Sequence, residues 1–152
     1  MAEKLIIRLS NNIGNQMFMY AAGYAASKKL NKNFYYDKIS SYNSYKNIYK
    51  FGLEKFNLNE KPVENKYLFN GLSGYLKRKL LKKIDIFKTN KFFLLEKRNF
   101  DKTTFYDKNL FDKTYANTVY MEGYFESEKY FIDYKDEIRR QFTPKQYNDF
   151  IN

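Results

Sequence analysis

KLIIRLSNNIGNQMFMYAAGYAASKKLNKNFYYD, residues 4–37, decides the fold. Leu5, Ile6, Ile7 and Leu9 form a short apolar run without alternation, the pattern of a strand buried on both faces. Ser10, Asn11 and Asn12 make a polar turn. A helix is predicted from about Gly14 to Leu30. Ile13, Met17, Tyr20, Ala21, Tyr24 and Ala25 form one stripe at helical spacing, and Phe18, Ala22 and Ala26 a second. So wide an apolar surface demands deep burial against a sheet, with cover on its far side. Asn31 and Asn33 stop the helix, and Phe34-Tyr35-Tyr36-Asp37 reads as a second strand. Strand, turn, long helix and strand is the opening of a parallel α/β fold.

The mouth of that helix is unusual for a packing element. Gly14 allows close approach of backbone to a ligand, and the helix N-terminus offers unpaired N–H groups. Asn15 and Gln16 add amides that donate and accept. The group suits a sugar hydroxyl or a phosphate oxygen at the carboxyl edge of a parallel sheet. A plain capping role for Asn12 or Asn15 accounts for the amides equally well. The stretch lacks the earlier glycines of a dinucleotide fingerprint and the Gly-Lys-Ser/Thr of a Walker loop.

Farther on, residues 38–74 are poorly patterned and read as irregular surface with short helical pieces, Phe51 to Phe56 forming a compact apolar knot. GYLKRKLLKKIDIF, residues 74–87, is a basic amphipathic helix. It puts Leu76, Leu80, Ile84 and Phe87 on one face and Lys77, Arg78, Lys79, Lys82 and Lys83 on the rest. It reads either as a surface helix with solvated lysines or, over residues 76–87, as a helix lying on an anionic membrane surface. Phe92 to Leu95 and Thr118 to Met121 read as strands. A helix should follow Ser127, with Phe131, Tyr134, Ile138 and Phe142 on its inner face. Thr143-Pro144-Lys145-Gln146 carries the signals of another helix start, close to the last residue, Asn152. A domain rarely stops as a helix begins, so the chain is expected to be the front part of something longer.

Composition narrows the chemistry. The 152 residues suffice for one domain with a core. There is no histidine, which removes a histidine base, a Ser-His-Asp triad and a histidine-bound metal. There is no cysteine, hence neither disulfide nor thiolate chemistry. Met1-Ala2-Glu3-Lys4 precedes an apolar run too short for a signal peptide, and no stretch approaches the ~20 apolar residues of a spanning helix. A cytoplasmic location is expected, with peripheral contact at the inner face of the membrane if residues 76–87 bind lipid. The net charge of +11 raises phosphate partners, although lysine, asparagine, tyrosine and phenylalanine are all products of AT-rich codons.

Two blocks carry a resemblance. IGNQMFMYAAGYAASKKL, residues 13–30, is similar to the N-terminal signature G-G-L-G-N-Q-M-F-Q-Y-A of the bacterial α-1,2-fucosyltransferases of glycosyltransferase family 11. YMEGYFESEKYFIDYKDEIRRQF, residues 120–142, resembles that family's Y-L-x-G-Y-W/F-Q-S-E-K-Y-F segment. FGLEKFNL, residues 51–58, is a weaker third match in the same order. Asn11 and Asn12 replace the family's first two glycines, and Glu126 replaces a glutamine. The family's H-x-R-R-G-D-Y donor motif is missing, so the likeness covers only the front of such an enzyme.

The resemblance implies a Rossmann-like first lobe of a GT-B type glycosyltransferase, a single α/β lobe over residues 1–152 with the donor-binding second lobe absent. It implies transfer of L-fucose from GDP-fucose to the 2-hydroxyl of a galactoside, lipid-linked or free, with inversion and without a metal or other cofactor. Gly14, Asn15 and Gln16 in the first block, and Gly123 and Tyr124 in the second, become substrate-binding candidates. No catalytic residue stands out among Glu122, Glu126 and Glu128. Lacking the donor motif, the chain is expected to be inactive alone. A carbohydrate-binding remnant without catalysis is an alternative. A module stacking single-stranded nucleic acid on its 16 tyrosines and 15 phenylalanines is another. The aromatics fall on core stripes, which disfavours nucleic acid.

Overall fold

The computed structural model describes residues 3–43, 48–97 and 105–145. Five strands, β1 (Lys4–Arg8), β2 (Asn33–Asp37), β3 (Lys61–Pro62), β4 (Lys91–Leu95) and β5 (Tyr115–Glu122), form one sheet in the order β3-β2-β1-β5-β4. Every pairing is parallel. Helices α1 (Ile13–Lys29), α2 (Gly71–Asp85) and α3 (Lys135–Gln141) flank it, giving the α/β architecture read from the sequence.

Register explains why β1 is apolar throughout. Leu5 and Ile7 lie beside Phe34 and Tyr36 of β2 and beside Val119 and Met121 of β5. These residues meet α1 in the main core. Ile6, between Tyr35 and Tyr120, points to the other face, where Phe69, Phe93 and Tyr120 pack as one aromatic group. Both faces of the central strand are therefore covered.

α1 owes its depth to small residues. Ala21, Ala22, Ala25 and Ala26 are buried with Tyr20 and Tyr24. A Cβ on Gly23 would stand 2.7 Å from the Phe34 ring and 3.0 Å from Ile7 Cβ, so only glycine lets the helix sit this close. Asn12 caps the helix, its Oδ1 accepting from Asn15 N–H at 3.1 Å. The helix thus begins one residue before the expected Gly14. Two predicted stripe members, Ile13 and Phe18, are 41% and 37% exposed, and Gln16 is buried in their stead.

Three other expectations are corrected. The single helix after Ser127 is broken: Glu128–Tyr130 and Ile132–Tyr134 are 3-10 turns, and α3 is only seven residues long. Tyr130 is drawn into the core, its hydroxyl accepting from Asp107 N–H and facing Phe105 O, and that anchor overrides helical continuity. Thr143 and Pro144 start no helix. Pro144 bridges Phe56 in extended conformation, flanked by Asn57 N–H to Thr143 O and Lys145 N–H to Lys55 O. A proline is accommodated there because that position needs no N–H donor. Gln146 lies outside the described residues. Residues 38–74, read as irregular surface with short helical pieces, do hold such pieces at Leu53–Lys55 and Asn65–Tyr67, but also contain β3 and the first turn of α2. Among the described residues no helix is long and apolar enough to cross a membrane.

Candidate functional site

A parallel sheet gathers its strand ends at one edge, and charge collects there. Arg8 ends β1 beside Asp37 of β2. Because Ile7 pairs with Met121, Glu122 of β5 is its neighbour on the other side. Arg78 and Lys82 reach down from α2 to the Glu122 carboxylate, the arginine through Nε and Nη2 to its two oxygens. Burial alone would raise the Glu122 carboxyl, but the hydrogen bonds from Arg78 and Lys82 outweigh it and hold the group below the ordinary glutamate range. The Arg78 guanidinium is correspondingly raised by its bond to Glu122. Arg8 is lowered, first by burial and then by the nearby Arg78. Its Nε is buried with no hydrogen-bond partner among the described residues. Asp37 is committed to its own turn, its Oδ1 accepting from Ile39 and Ser40 N–H at 2.9 Å each. The edge is therefore a cation surplus around one tightly held carboxylate.

Between β1 and β5 this edge opens into a cleft of about 180 Å³, lined by Arg8, Ser10, Met19, Glu122, Gly123 and Tyr124. Its rim is built from unusual backbone. Asn11, φ +66°, lies in the turn between β1 and α1, and Phe125, φ +54°, lies just beyond β5. Gly123 has φ +150°, and a Cβ there would fall 2.3 Å from Glu96 Cβ. Glu96 fixes this turn: its carboxylate accepts from Tyr124 N–H at 2.7 Å and Phe125 N–H at 2.9 Å. Left-handed residues on both sides of one cleft are the kind of stored strain found at functional sites.

The chain is similar to a glycosyltransferase. The alpha-1,2-colitosyltransferase of Escherichia coli is 28% identical to it over 144 residues, which is 95% of this chain and 46% of that protein. The chain thus spans about half the length of that relative. No protein-family model matches it, and no solved structure does.

The five candidate residues separate into two places. Gly123 and Tyr124 line the cleft with Arg8. Gly14 faces an apolar groove of about 320 Å³ between α1 and α3, walled by Met17, Phe18, Phe131, Ile138 and Phe142. Nothing steric demands glycine there, since the nearest atom to an added Cβ is Asn12 Oδ1 at 3.4 Å. Asn15 is half-buried in the first turn of α1, its backbone N–H held by Asn12. Gln16 is fully buried. Its Nε2 donates to Asn11 O and Lys50 O, both at 2.8 Å, and its Oε1 accepts from Gly52 N–H at 2.9 Å. That amide ties the β1–α1 turn to the distant loop at 50–52, and so holds Asn11 in place at the cleft. Of the acidic candidates, Glu122 is saturated by cations, and Glu126 and Glu128 are exposed.

Arg8, Arg78 and Lys82 did not emerge from the sequence as one site. The available signal was Arg8 itself, a charge inside an apolar run that a buried strand does not otherwise tolerate. Its partners lie far along the chain, and only the strand order brings them together.

Proposed function

We propose that the chain is the acceptor-holding lobe of an inverting glycosyltransferase that moves a deoxyhexose, L-fucose from GDP-fucose, to the 2-hydroxyl of a galactoside. The observation carrying this is the likeness along 95% of the chain to an alpha-1,2-colitosyltransferase. Colitose is L-fucose without its 3-hydroxyl, so the two donors present nearly the same reacting carbon. The cleft supports the division of labour. Its 180 Å³ falls below the ~300–1,000 Å³ typical of larger ligands, which suits a sugar ring better than a sugar nucleotide.

In the reaction, the acceptor O2 forms a bond to the anomeric carbon as the bond from that carbon to phosphate breaks. GDP leaves with the electron pair, and the O2 proton passes to a base. Arg8 lines the cleft, where its guanidinium would offset developing negative charge. Glu122 is not assigned as the base. A carboxylate held by two cations, with its affinity for protons lowered, is poorly matched to taking a proton near neutrality. The donor site is assigned to a segment outside this chain, consistent with the missing H-x-R-R-G-D-Y motif.

Titration of the isotope-labelled chain with lactose should move the amide resonances of Ser10, Gly123 and Tyr124, with smaller shifts at Gly14 and Asn15. GDP-fucose should move none of them. An unmoved spectrum with lactose would remove the acceptor-lobe reading. Steady formation of fucosylated lactose by the chain alone would overturn placement of the donor site elsewhere.

A further inference from the structure

α2 is turned inside out. Its sequence has an apolar stripe and a basic face, and packing the stripe on the sheet would be the ordinary outcome. Instead Gly74, Arg78, Lys82 and Asp85 face the protein. Asp85 is buried, its carboxylate accepting from Phe92 and Phe93 N–H. Lys82 also lies over the Phe93 ring. The stripe points away: Leu72, Leu80 and Phe87 are 75%, 59% and 90% exposed, with Leu76 and Ile84 between them. From Leu72 to Ile84 the ridge runs ~18 Å along the helix. Ile86 and Phe87 continue it into the following turn.

The charges beside the ridge have one sign. Lys77, Lys79, Lys83 and Lys88 are exposed around it. The one carboxylate between residues 71 and 88 is Asp85, and it faces inward. Two copies meeting through this face would bring the lysines against each other. An apolar ridge bordered by lysines matches a surface that is oily beneath and negative on top.

We propose that α2 and the turn after it form a membrane-docking face that lays Leu72, Leu76, Leu80, Ile84 and Phe87 into the headgroup boundary of an anionic lipid surface. The lysines contact lipid phosphates, and Arg78 and Lys82, held by Glu122, fix the helix so that its apolar side faces outward. The proposal stands independently of the glycosyl-transfer reading, because none of the cleft's reacting groups takes part. It also fits an enzyme surface working on membrane-borne acceptors.

The test is co-sedimentation of the chain with vesicles of phosphatidylcholine carrying phosphatidylglycerol, against phosphatidylcholine alone. Binding to the anionic vesicles should exceed that to neutral ones and weaken with added salt. Replacing Lys77, Lys79 and Lys83 together by glutamate should lower partitioning at least a hundredfold, at roughly fivefold per charge lost. Leu76→Ser, Leu80→Ser and Phe87→Ser combined should abolish it while leaving the circular dichroism spectrum unchanged. Lys82 is left intact, since its loss would disturb the Glu122 pair. The chain has no cysteine, so Leu80→Cys accepts a single environment-sensitive dye. Its emission should shift to the blue with anionic vesicles. No partitioning overturns the proposal, as does partitioning indifferent to both sets of changes. Resistance of the Leu80→Cys variant to labelling without lipid would show the ridge covered by protein. Self-association lost in the triple-serine variant would assign the face to a second copy. Either result also overturns it.

Discussion

α1 and α2 are the two long helices, and they relate to their sequences in opposite ways. α1 has apolar residues around most of its circumference, and the structure buries it against the sheet with α3 and the loop at 51–58 as cover. α2 is sharply two-faced, and the structure exposes the face that its pattern marks for burial. The difference lies in what each helix meets. α1 meets apolar β1 and β2, and its alanines and Gly23 fit that surface closely. α2 meets a sheet face whose apolar area is already filled by Phe69, Phe93 and Tyr120, with Glu122 beyond them requiring cations. With that apolar area filled, turning the helix over would strand the Glu122 carboxylate without adding a matching contact for the stripe, so the ion pair sets the rotation of the helix. Amphipathicity locates a helix and its two faces; the neighbour decides which face turns in.

The largest effect should come from removing that carboxylate. Glu122→Ala strips Arg78 and Lys82 of their carboxylate and leaves Asp37 as the nearby countercharge to Arg8, and should cost about 3 kcal/mol, a Tm loss of about 6–12 °C. Amide exchange in α2 should rise while α1 stays protected. Equal protection of α2 in both proteins would break the comparison. The same pair predicts a pH dependence. The folded carboxyl lies below its ordinary value of 4.5. Its stabilisation is therefore complete above that value and is lost as pH falls through the lower folded value. Acid titration of stability should show this loss in the wild type, and Glu122→Gln should lack it.

Next in size is Gln16→Ala. It strands Gly52 N–H and removes the donor to Asn11 O and Lys50 O, for an expected loss of about 2 kcal/mol by urea denaturation. Exchange should increase at 50–52 and at the start of α1, with no change in α2. A neutral result would mean that water replaces all three bonds. The smallest effect sharpens the contrast from the other side. Leu80→Ser on the exposed ridge should change stability in free solution by no more than about 0.5 kcal/mol. A loss comparable to a core leucine would show that the ridge is packed.

Much of this contrast was legible in advance for one helix and hidden for the other. β1, α1 and β2 follow from local pattern because their partners are adjacent in sequence. The strand at Phe92 to Leu95 misses one residue of β4, and that at Thr118 to Met121 catches the middle of β5 but only half of its length. The orientation of α2 depends on Glu122, some forty residues away. The break after Ser127 depends on Tyr130 finding Asp107. At the cleft, the second block pointed to Gly123 and Tyr124, but Arg8 was read as part of a strand. Gln16 was singled out for its amide, whose polar atoms are engaged with backbone. A polar side chain at a helix mouth looks the same in sequence whether it serves a ligand or a loop.

The strand order carries a consequence for synthesis. β1 is made before the other four strands and acquires β2 along one edge soon after, but its other edge waits for β5. At ~5–20 residues per second, the ribosome leaves that edge of Leu5, Ile6 and Ile7 uncovered for on the order of ten seconds. During this interval the nascent chain presents an apolar strand edge of the kind that recruits other chains. The span between β1 and β5, rather than the stability of the finished sheet, then sets how long the nascent chain is open to wrong pairing.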